Sequence, residues 1–415
     1  TGDISVVGTD GTNQVRFEPV IGGTFLRVNI GIVDDANLAN TDVTDLNAEH
    51  LALAQPGGTD PYETPSVPQT ERDKSIGDPR GIVWNAAGTR GYITGMGSNN
   101  LVVVDQNGDR VTTGATTELR EGPTGVVLSA DESRLFVVNR FDASISVVDT
   151  TSLTEVANIT YFDPTPAAVK TGRKHLYDTH KNSGLGQIGC GSCHVDGRMD
   201  RLAWDLGDPS GSVKNLSGSG TPPQHNLGAG ISGLLEGGTS PAFTNFHPMK
   251  GPMTTQTLQD IVGKEPFHWR GDRDGLEEFN AAFMGLQGDD TMLTAQEMQE
   301  FEDFLATTHF PPNPFRNLDN TLPTNLPLPG QFANGRFTLA NGAPLPNGDA
   351  VRGLQIYRNQ GAPLDSGNFT CVVCHTLPVG DGADAKWNGS TFAPIPTGPN
   401  GEHHVALVSV DGSTN

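Results

Sequence analysis

In the first third of the chain, short apolar runs alternate with polar turn clusters, and the whole pattern occurs twice. Residues 78–105 align without a gap on residues 122–149, at an offset of 44 residues. Each copy holds apolar stretches of strand length separated by turn residues. A repeat in the forties with four strands per unit is typical of a β-propeller blade. The sequence therefore predicts two adjacent four-stranded antiparallel blades, with Pro79 and Pro123 in equivalent positions.

The segment before the repeat is less regular. Residues 1–77 supply at most one or two irregular blades, and their polar part, 36–77, is predicted to leave the sheet because it is rich in Thr, Asp and Pro. A closed propeller needs about four to eight blades, and residues 1–160 are too few to form that many. We therefore expect part of a propeller whose other blades lie outside this sequence.

From Thr165 onward the hydrophobic period becomes helical. Thr165-Pro166 is typical of a helix start, and we expect that helix to run through Lys174–Tyr177. A capping box, Thr294-x-x-Glu297, predicts a second clear helix. That helix places four apolar residues on one face: Met298, Phe301, Phe304 and Leu305.

The rest of the chain divides at a proline-rich segment. Six prolines between residues 311 and 330 predict an extended linker, which a short helix from Ala350 to Arg358 follows. The Gly- and Ser-rich segment 207–246 predicts a long loop. The chain is therefore predicted to be multidomain, with domains at residues 1–160, 161–310 and 346–415 and a linker at 311–345.

Composition narrows the choice of partners. The 415 residues carry a formal net charge of −22, and Gly and Pro number 52 and 29. This charge argues against a nucleic-acid partner, because binding to phosphates needs a basic face. No apolar stretch approaches the length that crosses a bilayer, so we expect no transmembrane segment.

All four cysteines fall in two copies of one five-residue pattern, Cys190-Gly-Ser-Cys193-His194 and Cys371-Val-Val-Cys374-His375. Chance would give on the order of 0.001 such matches per chain at this composition. Two thiols at this spacing reach the two vinyl groups of one haem, and the adjacent histidine then lies beneath the iron. A disulfide would not require the histidine, and a zinc site would favour two pairs close in sequence. The sequence therefore predicts two covalent c-type haems with His194 and His375 as axial ligands.

Covalent attachment of haem takes place outside the cytoplasm. We therefore expect a periplasmic or extracellular protein, including one held at the cell surface. No signal peptide precedes Thr1, as we expect for a chain from which it has been removed.

The region from about residue 170 to 310 resembles the bacterial dihaem cytochrome c peroxidase and MauG family. Three segments around the first haem motif carry this resemblance: Gly172-Arg-Lys-His-Leu-Tyr-Asp178, Thr254-Thr-Gln-Thr-Leu258 and Phe267-His-Trp-Arg-Gly-Asp-Arg273. Gly353-Leu-Gln-Ile-Tyr357 before the second motif matches again. The blades resemble the YVTN-type propeller family, most closely at Phe136-Val-Val-Asn139. The resemblance thus implies propeller blades followed by mostly α-helical, cytochrome c-like dihaem domains.

This resemblance also implies an activity and the residues that perform it. The second haem would collect electrons from a small cytochrome or cupredoxin, and the first would reduce hydrogen peroxide. His247 stands where the family has a displaceable ligand of the first haem, and Asp289 stands near its acidic catalytic residue. Trp269, or His268 in its place, corresponds to a tryptophan between the haems. Calcium between the haem domains is a further implication.

Several alternatives stay open at this point. Met249, Met253 and His268 compete with His247 as the sixth ligand of the first haem. Trp269 is equally accounted for as an aromatic residue packed against haem. For Asp289, a solvated turn before the capping box is the better interpretation. If both haems keep two protein ligands, the protein is an electron carrier, with the propeller as a docking platform.

Overall fold

A computed structural model of the chain describes the backbone and side chains of most residues before the proline-rich linker and of a short segment after it. The described residues are 3–12, 22–204, 253–264, 267, 275–327 and 345–358, together with the backbone of 214–215, 245–246, 385–387, 392–394, 396–397 and 402–403. The chain divides into two compact units. The first contains residues 1–212, 247–259 and 276–308, and the second contains 213–246, 260–275 and 309–415.

The first unit opens with a three-stranded antiparallel sheet, called here the N-terminal sheet. Its strands, in sheet order, are β1 (Ile4–Gly11), β2 (Leu26–Val33) and β3 (Thr41–Asp45). Two short helices follow, α1 (Ala48–Ala54) and α2 (Gln69–Arg72). The irregular blade expected before the repeat is therefore one sheet of three strands.

Two four-stranded antiparallel sheets follow, each a simple meander. The first blade consists of β4 (Pro79–Trp84), β5 (Arg90–Gly95), β6 (Asn100–Asp105) and β7 (Thr117–Glu118). The second blade consists of β8 (Pro123–Leu128), β9 (Arg134–Asn139), β10 (Ser144–Asp149) and β11 (Thr154–Thr160). Pro79 and Pro123 each begin the first strand of a blade. The predicted pair of blades is confirmed.

Turn residues set the strand boundaries within a blade. In the first blade, the side-chain oxygen of Asn85 accepts hydrogen bonds from the backbone N–H groups of Thr89 and Arg90, at 2.9 and 3.0 Å. Gly88 in the same turn has a φ of +68°, which glycine adopts without a steric cost. Such side-chain-to-backbone bonds favour a turn over continuation of the strand.

The sheets stack through their alternating apolar faces. One face of the first blade packs Ile93, Val102 and Val104 against Val28 and Ile30 of the N-terminal sheet. The opposite face meets the second blade in a cluster formed by Tyr92, Leu101, Val103, Leu135, Val137 and Val148. Because side chains alternate between the faces of a strand, the first blade is buried on both sides.

Short helices continue the first unit after the blades. They are α3 (Ala167–Gly172), α4 (Lys174–Tyr177), α5 (Thr179–Asn182), α6 (Cys190–Cys193), α7 (Asn280–Gly285) and α8 (Ala295–Leu305). Single turns of 3₁₀ helix lie at Val195–Gly197 and Leu276–Phe279. Strand β12 (Ala203–Trp204) pairs with β15 (Met253–Thr254).

The helix predicted from Thr165-Pro166 reaches Tyr177 as expected, but in two pieces. The helical hydrogen-bond pattern is interrupted at Arg173, between α3 and α4, although the φ and ψ of Arg173, −60° and −26°, are helical. The Arg173 guanidinium bonds the Phe141 carbonyl oxygen of the second blade and forms an ion pair with Glu121 at 3.3 Å. These contacts draw the side chain toward the blade.

Helix α8 matches its sequence pattern. The Thr294 hydroxyl accepts a hydrogen bond from the Glu297 N–H at 3.3 Å, and the Glu297 carboxylate accepts one from the Thr294 N–H at 3.0 Å. All four residues of the predicted apolar face are buried: Met298, Phe301, Phe304 and Leu305. The capping box is confirmed.

The second unit is described in fewer places. Two short strand pairs lie at the C-terminal end, β16 (Ala385–Trp387) with β17 (Phe392–Pro394) and β18 (Pro396–Thr397) with β19 (Glu402–His403). Strands β13 (Lys214–Asn215) and β14 (Asn245–Phe246) also pair, and α9 (Ala350–Arg358) is helical as predicted. None of the helices in the described part of the chain is both long and apolar enough to cross a bilayer.

Candidate functional site

The first Cys-x-x-Cys-His motif forms a single helical turn. Helix α6 begins after Gly189, whose N–H donates to the Ser192 hydroxyl oxygen at 3.1 Å. The turn closes with a hydrogen bond of 2.9 Å from the His194 N–H to the Cys190 carbonyl oxygen. One turn therefore presents two thiols and an imidazole from five consecutive residues.

The orientation of His194 is set by a second segment of the chain. Its Nδ1 lies 2.8 Å from the carbonyl oxygen of Gln256. A carbonyl oxygen can only accept a hydrogen bond, so Nδ1 carries a proton, and in the neutral imidazole the lone pair is then on Nε2. In metal-binding histidines, one ring nitrogen commonly donates a hydrogen bond to a backbone carbonyl, and this bond orients the ring so that the other nitrogen can coordinate the metal.

Gln256 lies within Thr254–Leu258, one of the three segments around the first haem motif that carry the family resemblance. A hydrogen bond of 3.0 Å from the Leu258 N–H to the Gly197 carbonyl oxygen ties this segment to the residues just after His194. The role of the Gln256 carbonyl was not predicted, because a backbone group leaves no signal in side-chain identity.

Both thiols lie in largely apolar surroundings. Burial raises the pKa of Cys190 to about 11, and the Gln287 side-chain N–H₂ lies 3.4 Å from its sulfur. The pKa of Cys193 is raised further, first by burial and then by the negative charge of Asp200. The two cysteines are not joined in a disulfide. At neutral pH they are therefore thiols, the form that adds across a vinyl group.

An apolar wall lines the site beside Cys193. Phe25 and Trp204 meet edge to face, with ring centroids 5.4 Å apart and planes at 82°. Leu26 and Ile188 complete this cluster, and Cys193 packs against it. The Trp204 indole N–H donates to Asp200 at 2.8 Å, which fixes the ring.

These residues fit a c-type haem. The donor set is two thiols and a histidine that is oriented through Nδ1, and the Phe25 and Trp204 rings, 2% and 5% exposed, pack behind Cys193. Within the described part of the chain, the side-chain oxygen of Gln287, beside Cys190, is buried and has no hydrogen-bond partner. Met253, one alternative sixth ligand, is paired in register with Trp204 of the wall.

Asp289 has a different neighbourhood from the one that the resemblance implied. The Arg72 guanidinium donates to the Asp289 carboxylate at 2.9 Å and also contacts Asp290 and the Ser66 hydroxyl. The side chains of Arg72 and Asp289 are 3% and 7% exposed. Burial raises the Asp289 pKa despite the positive charge of Arg72. This ion pair joins the segment before the blades to the segment after the first motif.

The other predicted site residues lie outside the described residues. They are His247, His268 and Trp269 of the first haem region, and Cys371, Cys374 and His375 of the second motif. Their roles stay predictions. An exposed group of three carboxylates, Asp3, Asp34 and Asp35, lies on the N-terminal sheet. Calcium remains an implication of the family resemblance.

Comparisons with known proteins identify no family. No known family profile matches the chain, and no curated protein matches it. Among solved structures, it is similar over short stretches to apo AztD from Citrobacter koseri, with 11% identity, a TM-score of 0.21, and 32% of this chain and 31% of that one covered.

Two further structures align in the same way. One is a catalytically inactive virginiamycin B lyase from Staphylococcus aureus with quinupristin, with 16% identity, a TM-score of 0.21, and coverage of 34% and 39%. The other is a periplasmic gluconolactonase from Pseudomonas aeruginosa, with 13% identity, a TM-score of 0.24, and coverage of 34% and 37%. The chain spans between three and four tenths of the length of these proteins, and the blade assignment rests on its own sheets.

Proposed function

We propose that the chain is a periplasmic or extracellular dihaem c-type cytochrome. The observation that carries this proposal is the His194 imidazole, held through Nδ1 by the Gln256 carbonyl at 2.8 Å in the helical turn that also presents Cys190 and Cys193. The thiols would form thioethers with one haem, and His194 Nε2 would occupy an axial position. By the sequence pattern, Cys371, Cys374 and His375 would hold the second haem.

The proposed activity is the reduction of hydrogen peroxide. The two haems would supply one-electron redox chemistry, so that one peroxide, two electrons and two protons give two molecules of water. The protein's own residues orient His194, pack the Phe25–Trp204 cluster against Cys193, and attach the cofactor. His247 as a displaceable ligand and Trp269 or His268 as a relay belong to this proposal, as do a small cytochrome or cupredoxin as donor and a bound calcium ion.

A second candidate function is electron transfer without peroxide chemistry. The observation that favours it is the buried ion pair between Arg72 and Asp289, at 2.9 Å. A peroxidase needs a group over the iron that moves a proton between the two peroxide oxygens. A carboxylate that is held by a guanidinium in the fold is poorly suited to that task.

The two functions are separated by adding carbon monoxide and peroxide to the half-reduced protein with calcium present. The peroxidase proposal predicts that carbon monoxide binds and that peroxide is consumed. His247→Ala should open the first haem in the oxidised protein and raise its peroxide turnover. His309→Ala is the matched control, because His309 is exposed and bonds Asp260 at 2.7 Å.

Asp289→Asn separates a catalytic role from a structural one. A proton-transferring Asp289 predicts a large loss of turnover with normal folding. The ion pair with Arg72 predicts a lower melting temperature with turnover per folded protein unchanged. If half-reduced wild-type protein neither binds carbon monoxide nor consumes peroxide, the electron-carrier function stands.

A further inference from the structure

A charged cluster joins the first blade to the turn that follows His194. The Arg80 guanidinium of β4 donates two hydrogen bonds to Asp78, at 2.9 and 3.1 Å, and its Nη2 also lies 3.3 Å from the carboxylate of Asp196. Asp196 belongs to the 3₁₀ turn at Val195–Gly197, two residues beyond the proposed axial ligand. One guanidinium therefore bridges a carboxylate of the blade and a carboxylate of this turn. We call Asp78, Arg80 and Asp196 the blade–turn cluster.

Tyr177, the last residue of α4, connects the blade–turn cluster to the first motif. A Cβ at Gly191, between the two cysteines, would come within 2.8 Å of the Tyr177 ring, so the ring lies directly on the helical turn of the motif. Burial, and after it the negative charges of Asp196 and Asp78, raises the pKa of Tyr177 to about 12. Tyr177 is therefore neutral at pH 7 and adds no charge of its own beside the motif.

The repeat shows that the cluster is particular to the first blade. At the 44-residue offset, Asp78 aligns with Gly122 and Arg80 aligns with Thr124. Asp78 and Gly122 both have a left-handed backbone, with φ of +47° and +69°. Glycine adopts this conformation without a steric penalty, whereas a residue with a Cβ is strained there. The first blade therefore has a strained aspartate and its arginine partner where the second blade has an unstrained glycine and a threonine.

The backbone directs these charges toward the turn. The pairing of β4 with β5 shifts its register between Pro79 and Gly81, so Arg80 lies at a bulge, and bulges commonly redirect a side chain. Asp196 has a φ of +53°, which is again left-handed without being glycine. Strained residues persist where surrounding contacts hold them, and they cluster at functional sites. The contact between Arg80 and Asp196 is one such contact.

We propose that Arg80 is a positioning residue of the first haem, which holds Asp196 in place and raises the reduction potential of that haem through its positive charge. This inference rests on the proposed dihaem function, but it applies equally to peroxide reduction and to electron transfer. A positive charge near a haem favours the reduced iron, which carries one positive charge fewer than the oxidised iron. The first blade would then be part of the redox site and not only a docking platform.

A spectroelectrochemical titration of the full haem-loaded chain at low salt tests the proposal. Arg80→Gln should lower the equilibrium constant for reducing one of the two haems by at least about threefold, because it removes a positive charge that solvent screens only in part. Arg80→Lys should restore most of the wild-type value, since it keeps the charge. Asp196→Asn should shift the same haem in the opposite direction. High salt should reduce both shifts.

Arg134→Gln is the matched control. Arg134 forms an ion pair with Asp149 of the second blade, at the start of β9. The second blade approaches Tyr177 through Phe141, just past the other end of that strand, with ring centroids 5.2 Å apart. The length of β9 separates the two ends by about 16 Å. The control removes the same charge from a blade ion pair and should leave both haems unchanged.

Haem content separates a failure of this inference from a failure of the proposed function. The wild type and every variant should carry two covalent haems per chain, and a wild type without covalent haem would contradict the proposed function and this inference with it. With both haems present, an unchanged potential in Arg80→Gln overturns the role of Arg80. Equal shifts in Arg80→Gln and Arg80→Lys, or an equal shift in Arg134→Gln, overturn it as well.

A second variant keeps the proposal testable should Arg80→Gln fail to fold. The Asp196 side chain is 54% exposed, so Asp196→Asn should fold normally. It should raise the equilibrium constant for reducing one haem, because it removes a negative charge beside the motif. A fall, or no change in either haem, would overturn the proposal.

Discussion

Two glycines at equivalent positions of the repeat should respond differently to the same substitution. Gly81 in β4 and Gly125 in β8 align at the 44-residue offset. A Cβ at Gly81 would overlap the Thr124 carbonyl oxygen of the second blade and meet the Thr94 hydroxyl oxygen at 3.0 Å. A Cβ at Gly125 would find only a Val138 methyl, at 4.0 Å. The difference arises because the second blade covers this face of the first blade, whereas no described sheet covers the same face of the second blade.

The magnitude follows from these contacts. Gly81→Ala must push the second blade away from a closely packed backbone, at a cost of about 1–3 kcal/mol. It would also strain the 2.7 Å hydrogen bond from the Thr94 hydroxyl to the Thr124 carbonyl, which contributes about 1 kcal/mol. We therefore expect Gly81→Ala to lower the free energy of unfolding by about 2–4 kcal/mol. Gly125→Ala should change it by less than about 1 kcal/mol, with a gain expected.

The assay is urea denaturation followed by circular dichroism. Equal losses in both variants would mean that Gly125 is also covered, and would refute the order of sheets. A loss below about 1 kcal/mol for Gly81→Ala would refute the close approach of the two blades.

Three further outcomes test other parts of the fold. Thr294→Ala should cost about 1 kcal/mol of unfolding free energy in urea melts, because it removes the cap on Glu297, while Thr294→Ser should keep most of it. The pKa of His50 is lowered from 6.5 to about 3, first by burial and then by nearby positive charge. Between pH 3 and 6.5, the unfolded chain therefore binds a proton on His50 that the native chain does not bind. Stability should therefore fall by up to about 1.4 kcal/mol per pH unit as the pH drops from 6.5 toward 3, and His50→Gln should remove that slope; an unchanged slope would show that His50 is not the cause. Gln287→Leu should raise the thermal midpoint, because it removes a buried oxygen without a partner, and a clear fall would show that its contact with Cys190 outweighs this gain.

The sequence predicted the blades because their information is local. Alternating apolar residues and turn residues act within a few positions along the chain, as does the capping box at Thr294, and the 44-residue repeat shows the same local pattern twice. The same is true of the turn formed by Cys190, Cys193 and His194, whose spacing alone brings the three side chains together.

What the sequence could not predict depends on partners distant along the chain. The Gln256 carbonyl reaches His194 across 62 residues, and Arg72 reaches Asp289 across 217. Neither pairing leaves a pattern near either partner. The contacts of the Arg173 side chain have the same origin, since Phe141 and Glu121 lie 32 and 52 residues away along the chain.

The measurement that tests the central claim most directly is the haem content of the purified chain. A pyridine haemochrome assay with protein quantification, together with an intact mass, should give two covalent haems per chain that acidified organic solvent does not extract. Mass spectrometry should find no free thiol among Cys190, Cys193, Cys371 and Cys374. Haem that is absent, extractable or present once per chain would contradict the account.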